Sequence, residues 1–159
     1  MNFKVGFGYD VHQLEKGFQL IVGGLKIPFE KGSVGHSDAD VLIHAIMDAL
    51  LGAAGLRDIG YYFPDTDSKY KGIDSKELLK QTIDLLKDKG FKVGNIDATV
   101  SLQKPKISVY IPEMQEILSE IIQIPVEDIS VKATTTEKLG FVGEGKGIAA
   151  QAVVLIYKS

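Results

Sequence analysis

At 159 residues the chain has the length of one domain and enough material to bury a core. A quarter of its residues are charged, the net charge is -3, and that balance gives no basis for nonspecific nucleic-acid binding. It contains no cysteine, which excludes disulfides and thiolate zinc sites, so any metal must be held by histidine and carboxylate ligands.

The start, Met1-Asn2-Phe3-Lys4, carries no targeting pattern, and no apolar run is long enough to cross a bilayer. The expectation is a single cytoplasmic domain over residues 1–159 that does not meet a membrane. From Phe3 to Val11 the apolar residues fall on odd numbers, the period of a half-buried strand, which leaves Asp10 and His12 on the other face. A carboxylate and an imidazole two residues apart on one face can converge on one ion. Phe18–Val22 and Leu25–Phe29 flank Gly23-Gly24 as a tight hairpin, and Gly32–Gly35 leads to His36 and Ser37.

The run from Ser37 to Ala54 reads as a helix capped by Ser37, with Asp40 completing a capping-box-like pattern. Asp40, His44 and Asp48 recur every four residues and form one polar stripe, which makes His44 a third ligand for the Asp10–His12 pair. The alternative is a surface histidine raised in pKa by its neighbours. Asp48 is expected to orient His44.

Residues 56–73 form a long aromatic loop, read as a lid or substrate-binding loop with Asp58 as an acceptor for hydroxyls. Asp65-x-Asp67 lacks the rest of a calcium loop. Asp74 and Ser75 cap a helix that ends at Gly90 and serves packing. Ile96, Ala98, Val100 and Leu102 form a strand running into Gln103-Lys104-Pro105-Lys106, and Pro112 starts a helix reaching about Ile122. Ile129–Thr136 is another strand, Glu137–Lys146 a loop, and Gly147–Tyr157 an apolar strand. The threonines of Lys132-Ala-Thr-Thr-Thr-Glu137 suit phosphate oxygens and Glu137 suits Mg2+ or Mn2+, although three threonines are also ordinary strand residues. Gly140–Gly147 imitates a phosphate-binding loop, but Gly147 stands where the magnesium-binding hydroxyl belongs.

Four stretches taken together, Gly8-Tyr-Asp-Val-His12, Gly35-His-Ser-Asp-Ala-Asp-Val41, Asp58-Ile-Gly60 with Phe63-Pro-Asp-Thr-Asp67, and Lys132-Ala-Thr-Thr-Thr-Glu-Lys-Leu-Gly-Phe141, resemble the 2-C-methyl-D-erythritol 2,4-cyclodiphosphate synthases of the non-mevalonate isoprenoid pathway. The resemblance implies an α+β subunit, a small mixed β-sheet with helices packed on one face, assembled as a homotrimer with active sites between subunits. It implies one zinc per active site on Asp10, His12 and His44, and Mg2+ or Mn2+ on Glu137. His36 and Thr135 would steady the transition state. Ser37, Asp58, Ile59, Gly60, Phe63, Pro64, Asp65, Thr66, Asp67 and Phe141 would meet the substrate. Leu102, Gln103, Lys104, Pro105, Lys106, Ile107, Ser108, Ala133 and Thr134 would hold the cytidine diphosphate end.

The implied reaction is attack of a 2-phosphate on the β-phosphorus of a cytidine diphosphate, closing a cyclic diphosphate and releasing CMP. The competing readings are a metal-dependent phosphohydrolase, and a metal that only staples an assembly. Glu144 and Gln151 depart from the family's commoner arginine and glutamate, which predicts weak binding of isoprenoid diphosphates on the threefold axis unless Lys146 compensates.

Overall fold

The long strands β1 (Phe3–Lys16) and β7 (Gly147–Tyr157) pair antiparallel from Phe3 opposite Tyr157 to Gln13 opposite Gly147. This computed structural model describes residues 2–158. A short hairpin, β2 (Leu20–Val22) and β3 (Leu25–Ile27), turns at Gly23 and Gly24, both at positive φ as a tight turn of this kind requires. β4 (Lys31–Val34) pairs with the far end of β1, β5 (Lys92–Ser101) pairs antiparallel with β7, and β6 (Ile129–Thr134) lies parallel to β5. The resulting order, β4-β1-β7-β5-β6, is a mixed five-stranded sheet and confirms the expected α+β class.

Three helices cover one face: α1 (Val41–Ala53) on β1 and β7, α3 (Ser75–Asp88) on α1, and α4 (Ile111–Ile122) on β6 and α3. α4 lies in the connection between β5 and β6, where a parallel pair needs a long crossover. Among the described residues two single-turn α-helices, α2 (Ile59–Tyr62) within the 56–73 loop and α5 (Gly140–Gly143) within the loop before β7, accompany three short 3-10 turns. Even-numbered residues of β7, Ile148, Ala150, Ala152, Val154 and Ile156, point under the helices into the core.

Burial on β1 runs opposite to its apolar pattern. Phe3, Val5, Phe7, Tyr9 and Val11 are exposed, Val5 and Phe7 at 62% each, and the helices lie on the side of Gly6, Gly8, Asp10 and His12. The glycines explain the inversion. A Cβ at Gly6 would fall 1.9 Å from the Ala49 carbonyl oxygen, and one at Gly8 1.9 Å from that of Ala45. α1 therefore rests directly on the β1 backbone through its small residues, closer than any larger pair would permit.

α1 starts at Val41, later than expected, because Asp40 takes over the capping that the sequence assigns to Ser37. The Asp40 carboxylate accepts N–H bonds from Ile43, Gly23 and Gly24 and is wholly buried, so it ties the hairpin to the helix start. Burial pushes its carboxyl up to about 6, against the opposing pull of those N–H groups. The polar stripe of α1 thus faces protein rather than water.

Gly8→Ala should force α1 off the strand and cost at least ~3 kcal/mol. A fall in urea midpoint measures it, and a wild-type midpoint would contradict the close-approach account.

Candidate active site

β1 presents Asp10 and His12 on its helix-covered face, and α1 presents His44 directly above them. Asp10 Oδ2 lies 2.8 Å from His12 Nε2 and 3.2 Å from His44 Nδ1, while the two ring nitrogens are 3.2 Å apart. Three ligand-type atoms therefore converge, all within 4.8 Å of one another.

The other nitrogen of His12, Nδ1, is 3.0 Å from the Val34 carbonyl oxygen. A carbonyl only accepts, so Nδ1 carries the proton and neutral His12 turns the lone pair of Nε2 toward Asp10 and His44. That arrangement places two nitrogens and a carboxylate oxygen face to face, which is a donor set for a cation. Burial alone would raise the Asp10 carboxyl, but hydrogen bonds and charge from His12 and His44 outweigh it and hold the group at about 2. For His12, burial favours the neutral ring, yet Asp10 prevails and its pKa is raised. Proton and cation therefore compete for the same donor atoms.

The triad lies in the wall of a cavity of about 380 Å³ whose lining also includes His36, Ser37, Ile59, Gly60, Phe63, Pro64, Asp65 and Thr66. All eight belong to the residues expected at the site from the sequence motifs. His36 Nε2 donates to the Asp67 carbonyl oxygen at 3.1 Å, fastening the long loop across the cavity. The loop's far end is tied by Gly72 N to His36 O at 2.7 Å and by Asp38 N to Ile73 O at 3.1 Å. Asp58 does not line the cavity; its carboxylate caps α2 through Tyr61 N. Asp67 contributes its carbonyl, and its carboxylate accepts from Lys69 N.

One expectation is corrected. Asp48 makes no bond to His44; its Oδ1 accepts from Ile59 N at 3.0 Å and holds the near end of the loop. Burial raises its carboxyl, and the charge of Asp58 adds to the rise. His44 Nε2 instead meets Ser75 Oγ at 2.9 Å and Ser37 Oγ at 3.2 Å. Ser75, read from sequence as a capping residue, is the site residue that was missed. Asp74 does the capping, and nothing local tells which of two adjacent cap formers turns inward.

The remaining expected residues stand apart from the triad within one chain. Register places Val11, Ala149, Ser101 and Thr134 at one level, so the segments after β5 and β6 emerge at the triad's end of the sheet. β6 is three strands from β1, about 14 Å away. These segments are stitched together by Leu102 N to Thr134 O at 2.9 Å and Lys138 N to Gln103 Oε1 at 3.3 Å. Thr135 and Glu137 are exposed there, with Thr135 Oγ1 3.4 Å from Glu137 Oε1, and Phe141 is exposed in α5. Gln103 and Lys104 line a separate cavity with Lys31, Lys138 and Glu144.

The YgbB family model matches residues 3–157. Over 156 residues, 98% of this chain and of its relative, the sequence is 60% identical to the 2-C-methyl-D-erythritol 2,4-cyclodiphosphate synthase of Bacteroides fragilis. Among solved structures, the IspF–CDP complex of Plasmodium falciparum superposes with a TM-score of 0.87 at 35% identity, covering 99% of this chain and 97% of that one. The bifunctional IspDF of Campylobacter jejuni gives 0.95 at 43% identity, covering 99% of this chain and 42% of that longer one.

A divalent cation should compete with the proton on His12, so its affinity should fall as pH drops from 8 to 5.5. The sign for stability is opposite. His12 has a raised folded pKa, so its contribution is complete below about 6.5 and is lost as pH rises through the folded value. Metal-free protein should therefore melt lower at pH 8 than at pH 6, and added cation should raise the melting temperature most at pH 8; calorimetry with and without cation measures both.

Proposed function

The chain belongs to the YgbB family, and from that premise we propose that it converts 4-diphosphocytidyl-2-C-methyl-D-erythritol 2-phosphate to 2-C-methyl-D-erythritol 2,4-cyclodiphosphate and CMP. The observation that carries the reading is the convergence of Asp10, His12 and His44 in the wall of one cavity with His36 and Ser37. A linear cytidine diphosphate bearing a second phosphate is the substrate, in the synthesis of isoprenoid precursors.

Two imidazoles and one carboxylate, with no thiolate, form a three-ligand set that fits zinc with a position left open. Zinc there would supply Lewis-acid charge neutralisation at a phosphate oxygen. The exposed carboxylate of Glu137 fits Mg2+ or Mn2+, cations that retain water and share phosphate ligands.

The chain's own residues have a narrow task, because the attacking 2-phosphate is already ionised and no base need remove a proton. One of its oxygens forms a bond to the β-phosphorus, the bond from that phosphorus to the bridging oxygen breaks, and the electron pair leaves with CMP. Ser37 offers a donor toward the phosphate end with His36 beside it, and Ile59, Gly60 and Phe63–Thr66 form the wall that holds the methylerythritol carbons and excludes water. Leu102–Ser108, Ala133 and Thr134 hold the cytidine end, and Thr135 steadies the charge developing between them.

Assembly as a homotrimer supplies the missing proximity. Phe3, Val5, Phe7, Tyr9, Val11, Val153 and Tyr157 lie exposed on one sheet face, an apolar surface that a soluble chain would cover with another copy. Packed so, the Thr135–Glu137 segment of one protomer meets the triad of the next. Glu144 is paired with Lys146 at 2.6 Å, so its negative charge offsets the charge of that lysine toward an isoprenoid diphosphate, and binding on the threefold axis is weak. Among the described residues no helix is long and apolar enough to cross a membrane.

Purified protein given the substrate, zinc and magnesium should show by phosphorus NMR a cyclic diphosphate and one equivalent of CMP. His44→Ala should lose at least ~100-fold in rate with the fold intact. Linear phosphates would indicate a hydrolase, and an assembly that melts on zinc removal without ever turning over would indicate a structural metal.

A further inference from the structure

Ser75 is wholly buried at the first turn of α3, 31 positions from His44 in sequence, yet its hydroxyl meets both His44 Nε2 and Asp38 Oδ1. The chemistry of the three groups fixes the direction of every proton between them. A carboxylate only accepts, so the Ser75 O–H donates to Asp38. Toward His44 Nε2, 2.9 Å away, the serine oxygen is therefore an acceptor, and Nε2 carries the hydrogen. The ring's other nitrogen, Nδ1, faces Asp10 Oδ2 and His12 Nε2, so it is the atom that offers its lone pair to a cation once the proton it shares with Asp10 is displaced.

We infer that Ser75 and Asp38 are positioning residues that lock His44 in its Nε2–H tautomer and aim Nδ1 at the cation. The inference rests on the reading of Asp10, His12 and His44 as a divalent-cation site. Asp38 is itself held: its Oδ2 accepts from Ser75 N at 3.0 Å and its Oδ1 from Asp40 N at 3.2 Å. The carboxylate thus joins the start of α1 to the start of α3, and the His44 ring is clamped between them.

A second consequence concerns Ser37. Its oxygen accepts from Ala39 N at 3.3 Å and lies 3.2 Å from His44 Nε2. Since Nε2 already bears a hydrogen, the Ser37 O–H cannot donate to it. That hydrogen is free for an oxygen of a ligand in the cavity, so Ser75 also releases Ser37 for substrate.

The chain contains three histidines, which makes a nitrogen-15 histidine NMR spectrum of the metal-free protein directly assignable. At a pH high enough for both rings to be neutral, His44 should appear as the Nε2–H tautomer and His12 as Nδ1–H. Ser75→Ala, with Asp74 still capping α3, should leave His44 in a tautomer mixture and weaken zinc binding by ~10- to 100-fold in chelator competition, with the metal-free protein still folded and its melting temperature lowered by only several degrees. Asp38→Asn, which gives the Ser75 hydroxyl a weaker neutral acceptor, should shift both readouts in the same direction by less. Ser37→Ala should leave tautomer and affinity at wild-type values and raise KM. Wild-type His44 in the Nδ1–H form, or Ser75→Ala with unchanged tautomer and affinity, would overturn the inference. Wild-type protein that binds no zinc but loses its His44 tautomer in Ser75→Ala would uphold the positioning and overturn the cation reading.

Discussion

The close approach of α1 to β1 is the constraint on which the site depends. Asp10 and His12 project only a side chain's length from the sheet, and His44 only a side chain's length from the helix. For their donor atoms to stand about 3 Å apart, the two backbones must lie in near contact. Gly6 and Gly8 against Ala45 and Ala49 provide that contact, with no room for a Cβ on the strand. Packing and chemistry are therefore one requirement at this point: a residue change that loosens the helix also separates the ligands.

The same arrangement explains why the other sheet face is unusual. With the helices drawn to the glycine side, the aromatic and branched residues of β1 are left facing outward beside Val153 and Tyr157. An apolar face of this kind is costly in water and is resolved by association. It lies on the back of the sheet that carries the triad, and its edge strand β6 leads into Thr135 and Glu137. The triad and the Thr135–Glu137 segment thus stand about three strands apart in one chain, and the proposed function needs an assembly to bring them together.

Much of this could be read from the residues. The Asp10-x-His12 pair is local in sequence, the His44 helix announces itself by its period, and the 56–73 loop is marked by its length and aromatic content. Each signal is short-range, so sequence carries it well. The burial of β1 was not legible from its alternation, because the pattern records that two faces differ but not which one meets the helices. Only the glycines, read as backbone contact rather than as flexibility, mark the covered side. Asp48 shows the limit of helical spacing as an argument: a residue four positions from His44 is near it, yet its carboxylate found the unpaired Ile59 N instead. Ser75 shows the reverse case, a contact made across 31 positions that no window of sequence contains.

Under the proposed function one working site is divided between two copies of the chain, and mixing two inactive variants shows whether it is. His44→Ala and Glu137→Ala protein, each nearly inactive alone, are unfolded together, refolded as mixed trimers and assayed for CMP release. A site shared by neighbours leaves one intact site in each mixed trimer, so turnover should return to about a third of wild type per mixed trimer. Mixed trimers with no more activity than their parents would contradict the shared site and require both residues to act within one chain.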